Sequence, residues 1–157
     1  MKPYHVKKIK NLSWVLFCSY LVVMAYLLFF SEYLNRNGTR EYRYNLVFFQ
    51  EVNRSFWCLR HGQPSYFLLN FVMNIVAFVP FGFFLPLLSR NRHGKNIFYV
   101  MFSALEFTLV IEIVQLVLRV GTFDVDDIML NSIGGFIGYL LFIIMYLFYK
   151  LLRKVMK

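Results

Sequence analysis

Charge is scarce in this chain. Asp, Glu, Lys and Arg make up 16% of its 157 residues, against 59% hydrophobic residues. Soluble domains carry about 25% charge, so a fully water-solvated surface is excluded and the expected solvent is lipid. Cysteine and histidine are equally sparse, at two and three. Cys18 falls within an apolar run and Cys58 in a loop, at different expected depths, so both are expected to be free thiols. A disulfide framework and a cysteine metal site are excluded. His5, His61 and His93 are dispersed over tails and loops, which excludes a histidine metal centre. Internal repeats and low-complexity segments are absent. No small-x-small cleavage site follows the first apolar run, which is longer than a signal-peptide core, so an uncleaved anchor is expected.

What is present is four apolar windows of about 20 residues, the length that crosses a bilayer core of roughly 30 Å as a helix. They run from Leu12 to about Phe30, from about Tyr66 to Leu88, from about Asn96 to Leu118 and from about Ile128 to Tyr149. The expected fold is an all-α membrane protein with four transmembrane helices in one domain. Lys2, Lys7, Lys8, Lys10, Arg90, Arg92, Lys95, Lys150, Arg153, Lys154 and Lys157 would lie on one side, and Arg36, Arg40, Arg43, Arg54, Arg60 and Arg119 on the other. The richer side is cytoplasmic by the positive-inside rule, so both termini are inside. The Ser31–Ser65 loop and the aspartate-bearing turn are then outside. The net charge of +9 is met by anionic inner-leaflet lipid and needs no nucleic acid. In the outer loop, Leu46, Phe49, Val52, Phe56 and Leu59 recur at helical spacing, predicting an amphipathic helix in the outer interface.

Polar residues interrupt this pattern at similar depth. At 1.5 Å per residue, Asn74 lies about 12 Å below the outer end of the second span and Glu112 about 9 Å below that of the third. Asn131 lies just past the entry of the fourth. Thr108, Glu112, Gln115 and Arg119 share one helix face, and Asp124, Asp127, Asn131, Gly134 or Gly135, and Gly138 share another. Asn70, Asn74 and Ala77 form a third. A buried acid costs roughly 2.5–3.5 kcal/mol even on lenient insertion scales, so these faces should point into the bundle. There Asn74 and Asn131 can satisfy Glu112, and Arg119 can extend toward the interface.

Interhelical hydrogen bonds and the close approach allowed by Gly134-x-x-x-Gly138 would account for much of this set as helix-packing contacts. Two carboxylates above a buried glutamate go further than packing requires. Asp124 and Asp127 are candidates for a divalent cation such as Mg²⁺ or Ca²⁺, the one cofactor suggested, and Glu112 and Asp127 are candidates for acid–base work. The plainer role for Asp124 is a cap on the fourth helix. Glu106 falls near mid-membrane on a separate stripe with Tyr99 and Ser103. Pro80, followed by Phe81-Gly82, predicts a kink in the second span.

The blocks Asn74-Ile-Val-Ala-Phe-Val-Pro80-Phe81-Gly82, Glu112-x-x-Gln115 and Asp124-x-x-Asp127-x-x-x-Asn131-x-x-Gly134-Gly135-x-x-Gly138 together resemble the VanZ-like family, over roughly Arg43 to Tyr149. Arg43-Tyr-Asn45-Leu46-Val-Phe48-Phe49 is similar to the family's Arg…Asn-Leu-x-Pro-Phe segment, with Phe48 in place of the usual proline. Arg119 is the arginine nearest the aspartates, at a shorter offset than the family's, and Glu106 is outside the pattern. The resemblance implies a small multi-pass protein of the bacterial cytoplasmic membrane associated with teicoplanin resistance. Three functions are then open: an envelope accessory protein whose outward pocket holds a lipid-tailed or lipid-linked ligand, a membrane enzyme acting on such a ligand, or a small ion-coupled transporter working through Glu106. Expected partners are membrane lipid and that ligand, with a homo-oligomer as an alternative.

The orientation is open to a direct check. A cysteine at position 95, in a background lacking Cys18 and Cys58, should resist a membrane-impermeant maleimide applied to intact cells. Labelling from outside would reverse the topology.

Overall fold

The computed structural model describes residues 3–30, 42–89 and 96–155. Lys2, Arg36, Arg40, Arg90, Arg92, His93, Lys95 and Lys157 therefore lie outside the described residues. In chain order the elements are α1 (Pro3–Phe30), β1 (Arg43–Asn45), α2 (Gln50–Arg60), α3 (Pro64–Phe67), a π-helical turn (Leu68–Val72), α4 (Met73–Leu88), α5 (Ile97–Leu118), β2 (Thr122–Asp124) and α6 (Val125–Val155). Four stretches are long and apolar enough to span a bilayer: Lys10–Leu28, Pro64–Leu88, Ile97–Leu118 and Val125–Val155. The chain is an all-α membrane protein with a short amphipathic helix, α2, between its first two spans.

The last span is longer than the apolar window predicts. It starts at Val125 because Asp124 accepts the Asp126 N–H at 2.8 Å and so caps the first turn. It runs on to Val155, with 31 residues and a length of roughly 46 Å, so its Lys150, Arg153 and Lys154 end lies past the hydrocarbon.

Helices in lipid gain little from the hydrophobic effect and associate by close packing. The tightest seam here joins α4 to α6. A Cβ on Gly82 would fall 1.9 Å from the Gly135 carbonyl oxygen, one on Gly134 2.1 Å from that of Ile75, and one on Gly138 2.0 Å from that of Val79. The two backbones are in direct contact along this seam. Gly135 also faces α5, where its Cβ would meet the Ala104 methyl at 2.8 Å. Pro80 and Pro86 both lie within α4, which remains helical through them. The irregular turn of the second span is the π-helical one at Leu68–Val72, which contains Asn70 and ends two residues before Asn74.

Aromatic rings fill the space between the other helices. Phe81 of α4 stacks on Phe107 of α5 at 4.7 Å, and Phe17 of α1 meets Phe81 at 6.1 Å. Tyr20 of α1 donates to the Ala77 carbonyl at 2.8 Å. Toward the outer end, Gln115 of α5 donates to the Leu28 carbonyl of α1 at 3.3 Å. A strand pair, absent from the sequence expectation, ties the outer loop to the aspartate turn. β1 and β2 pair in parallel, with Arg43 opposite Thr122, Tyr44 opposite Phe123 and Asn45 opposite Asp124.

Because carbonyl oxygens occupy the space a methyl group would need, Gly138→Ala should destabilise the bundle by about 1–3 kcal/mol. Ile137→Ala, on the exposed side of the same helix, should change it little. Unfolding in mixed micelles measures both.

Candidate functional site

The outer end of the bundle is organised around a buried carboxylate. Asp126, in the first turn of α6, has no exposed surface. Its Oδ1 accepts the Phe49 N–H at 2.6 Å, and its Oδ2 accepts the Glu51 and Val52 N–H groups at 2.8 and 3.2 Å. These belong to the start of α2, whose first N–H groups have no intrahelical partner. A carboxylate at the positive end of the helix dipole is favourable as well. Phe49 sits in the left-handed region at φ 64°, a strained conformation for a bulky residue that the Asp126 bond holds in place. Gly62, at φ 78°, follows the other end of α2 and turns the chain back toward the second span.

A second carboxylate locks the strand pair. Asn45 donates to Asp124 Oδ2 at 3.0 Å while its own oxygen accepts the Val47 N–H at 3.1 Å. The Asp124 N–H in turn donates to Glu112 Oε2 at 3.0 Å. Burial raises the Asp124 carboxyl above its ordinary pKa, opposed by the bonds from Asn45 and the Asp126 N–H. Both Asp124 oxygens thus already accept bonds, which weakens it as a cation ligand. Among the described residues, no group of three or more His, Cys, Asp or Glu side chains is arranged to hold a metal ion.

Beside these bonds lies a cleft of about 210 Å³, lined by Glu51, Arg54, Tyr66, Asn70, Gln115, Gly121, Thr122, Asp124 and Asp127. Glu51 accepts from Tyr66 at 2.8 Å and from Arg54 at 3.2 Å. Asn74 donates to Asp127 Oδ1 and also to the Asn70 carbonyl at 3.1 Å, binding α4 to α6 beside the cleft. Gly121 packs on Gln115, where a Cβ would lie 3.0 Å from that side chain.

The candidate residues divide in two. Gln115, Asp124 and Asp127 line the cleft, and Asn74 is bonded to Asp127. Glu112, 3% exposed, is bonded through the Asp124 backbone. The pairing differs from expectation in that Asn131 donates to Thr108 at 2.8 Å and Asn74 to Asp127, while Glu112 accepts the Asp124 N–H. The reason is the strand pair, whose β2 brings the Asp124 N–H to Glu112. Arg119 caps α5 at φ 55° and sets its guanidinium over the Tyr42 ring at 4.1 Å, outside the cleft lining. Glu106 is exposed on the outer surface of α5, away from the bundle interior that a transport role through it would require. Asp126, Glu51, Arg54 and Tyr66 were missed as site residues. Asp126 carried a signal, as the aspartate one turn before Leu130 on the buried side of α6, whereas the others depend on how the loop folds back.

A family model, VanZ/LLP1, matches residues 17–147. The chain belongs to the VanZ/LLP1 family. It is also 34% identical over 71 residues to "Protein VanZ" of Enterococcus faecium, a stretch that is 44% of this chain and 41% of that protein. The chain thus spans about two fifths of that curated relative. No solved structure matches it significantly. The VanZ/LLP1 match takes in the outer loop, α2 and the outer ends of all four spans, so the cleft lies wholly within the matched region.

Replacing Asp126 with alanine leaves three α2 N–H groups without their acceptor. Loss of a charge-assisted bond costs about 1.5–3 kcal/mol, so α2 should detach locally before the spans unfold. Hydrogen exchange should speed up at Phe49, Glu51 and Val52 and stay slow in α4. Unchanged exchange there would show that α2 is held by other contacts.

Proposed function

We propose that this chain is a cell-envelope accessory protein of the bacterial cytoplasmic membrane, contributing to resistance against teicoplanin-type lipoglycopeptides. In this reading its outer-face cleft takes part of a lipid-tailed or lipid-linked ligand. Membership of the VanZ/LLP1 family supports an association with teicoplanin resistance, and the relative named "Protein VanZ" is consistent with it. The observation that carries the reading is the cleft itself, in which residues from the outer helix, the strand turn and three spans converge. Polar side chains at membrane depth are costly, so a set this large at one end of a bundle supports reading that end as a functional surface.

The cleft's place at the outer ends of the spans suits a ligand that arrives through the outer leaflet. Its tail would remain in lipid while its polar part enters among Asp127, Asn70 and Gln115. An enzyme would need a nucleophile or an activated water. Glu112 is engaged by the Asp124 backbone and does not line the cleft, so Asp127 is the better-placed of the two acid–base candidates. The binding role therefore stands ahead of the catalytic one.

Near-isosteric changes separate charge from packing. Glu112→Gln and Asp127→Asn keep volume, and an amide can still bridge helices for about 0.6–2 kcal/mol, so both variants should insert and fold. Teicoplanin susceptibility of a sensitive host, at matched membrane abundance, should rise to the level without the protein for Asp127→Asn and at least partly for Glu112→Gln. Glu106→Gln should keep full protection. Full protection by both Glu112→Gln and Asp127→Asn would reduce the polar set to helix packing.

A further inference from the structure

We infer that the cleft recognises a primary ammonium group. This rests on the reading that the cleft binds a ligand, and names the chemistry of that ligand. The first observation is the direction in which the amides are used. Asn70 gives its Nδ2 to the Tyr66 carbonyl at 3.0 Å, and Gln115 gives its Nε2 to the Leu28 carbonyl at 3.3 Å. One N–H of each amide is thus spent on helix backbone, which fixes the amide's orientation, and each carbonyl oxygen accepts no bond from the described residues and is left for a ligand in the cleft they line. Gln115 is 8% exposed, so its remaining surface is that of the cleft wall.

The second observation is Asp127. One of its oxygens accepts from Asn74, and the other meets no protein donor among the described residues. The wall therefore offers three unsatisfied acceptors, Asn70 Oδ1, Gln115 Oε1 and Asp127 Oδ2, from three different helical segments. An ammonium carries three N–H donors and no acceptor, which matches this set in number and in kind.

Charge points the same way. The cleft is lined by Glu51, Asp124 and Asp127 against a single cation, Arg54, which is already paired with Glu51 at 3.2 Å and lies over the Tyr66 ring at 5.1 Å. A phosphate or carboxylate would meet three carboxylates against one cation that is already paired. Calcium prefers six to eight oxygen ligands, more than the three left open here. Size narrows the class further, because about 210 Å³ is below the roughly 300–1,000 Å³ of pockets that enclose a drug-sized molecule. The cleft takes an aminoalkyl or amino-sugar terminus, with the rest of the ligand outside.

The test uses the full chain in lipid nanodiscs made only of phosphatidylglycerol, titrated by calorimetry with ethanolamine at pH 7. Glycerol phosphate and Ca²⁺ serve as the competing chemistries. Saturable ethanolamine binding is expected, weakened at least tenfold by Asp127→Asn and by Gln115→Leu and unchanged by Glu106→Gln. If either weakened variant proves misfolded by its elution profile, Asn70→Leu replaces it with the same expectation. Repeating the titration in discs containing phosphatidylethanolamine separates two sources of the amine. Competition from the lipid would make the headgroup the ligand, and its absence would point to a soluble or drug-borne amine. No saturation by ethanolamine in the folded wild type, or tighter binding of glycerol phosphate or Ca²⁺, would overturn the assignment. Amine binding that persists alongside lost resistance function, or the reverse, would separate this inference from the proposed role.

Discussion

The Asp126 carboxylate is the constraint from which the outer half of the molecule follows. A helix of only eleven residues, Gln50–Arg60, lacks the length to be stable by itself, and its first N–H groups need acceptors. Asp126 supplies them from α6, a different span, so α2 has one position relative to the bundle. That position brings Glu51 and Arg54 to the cleft and sets Tyr66 within 2.8 Å of Glu51. The parallel strands do the same for the opposite side, with Asn45 and Asp124 as the side-chain lock. The wall of the cleft is thus made by two long-range contacts, each using one aspartate of the same turn.

The glycine seam makes those contacts meet. Because Gly82, Gly134 and Gly138 let α4 and α6 touch backbone to backbone, Asn74 on one helix reaches Asp127 on the other directly. A wider helix separation, as Leu-sized side chains would impose, would leave a carboxylate without its amide in a low-dielectric setting. The small residues and the polar pair therefore depend on each other. The π-helical turn at Leu68–Val72 sits at the same level. It shifts the register of the helix beside the cleft, with Asn70 inside it and Asn74 just after it.

Much of this was legible in the sequence, for reasons that differ by residue. The four spans are read from length and apolarity, which lipid enforces strictly. Glu112, Asn74, Asp127 and Asn131 are read from the cost of burying polar groups, which forces them inward at comparable depth. Which of them pair was not legible, because pairing depends on the backbone. Glu112 meets the Asp124 N–H only because β1 and β2 align, and three-residue strands leave no periodic signal. Asp126 was overlooked because its partners lie 74 to 77 residues away, in a segment whose own helix start carries no capping side chain. Glu106 shows the converse failing. Its place in an apolar run put it near mid-membrane on a separate stripe but did not fix its face, which is the exposed side of α5.

The exposed aromatic surface around α2 bears on how a tailed ligand would reach the cleft. Phe48 and Trp57 are more than half exposed, at 65% and 57%, on the segment that also carries Glu51 into the cleft wall. Aromatic rings are favoured at the boundary between headgroups and acyl chains. A segment that rests in this boundary fixes the cleft at headgroup depth, where an acyl tail can stay in lipid while a polar terminus turns inward. Phe56 gives this surface its anchor, since it packs on Phe67 and Phe71 of the second span at 5.1 and 5.2 Å and so is turned partly toward protein. The two faces of α2 then have separate tasks. One is held by Asp126 and the second span, and the other, on the proposed reading, meets the lipid from which the ligand comes.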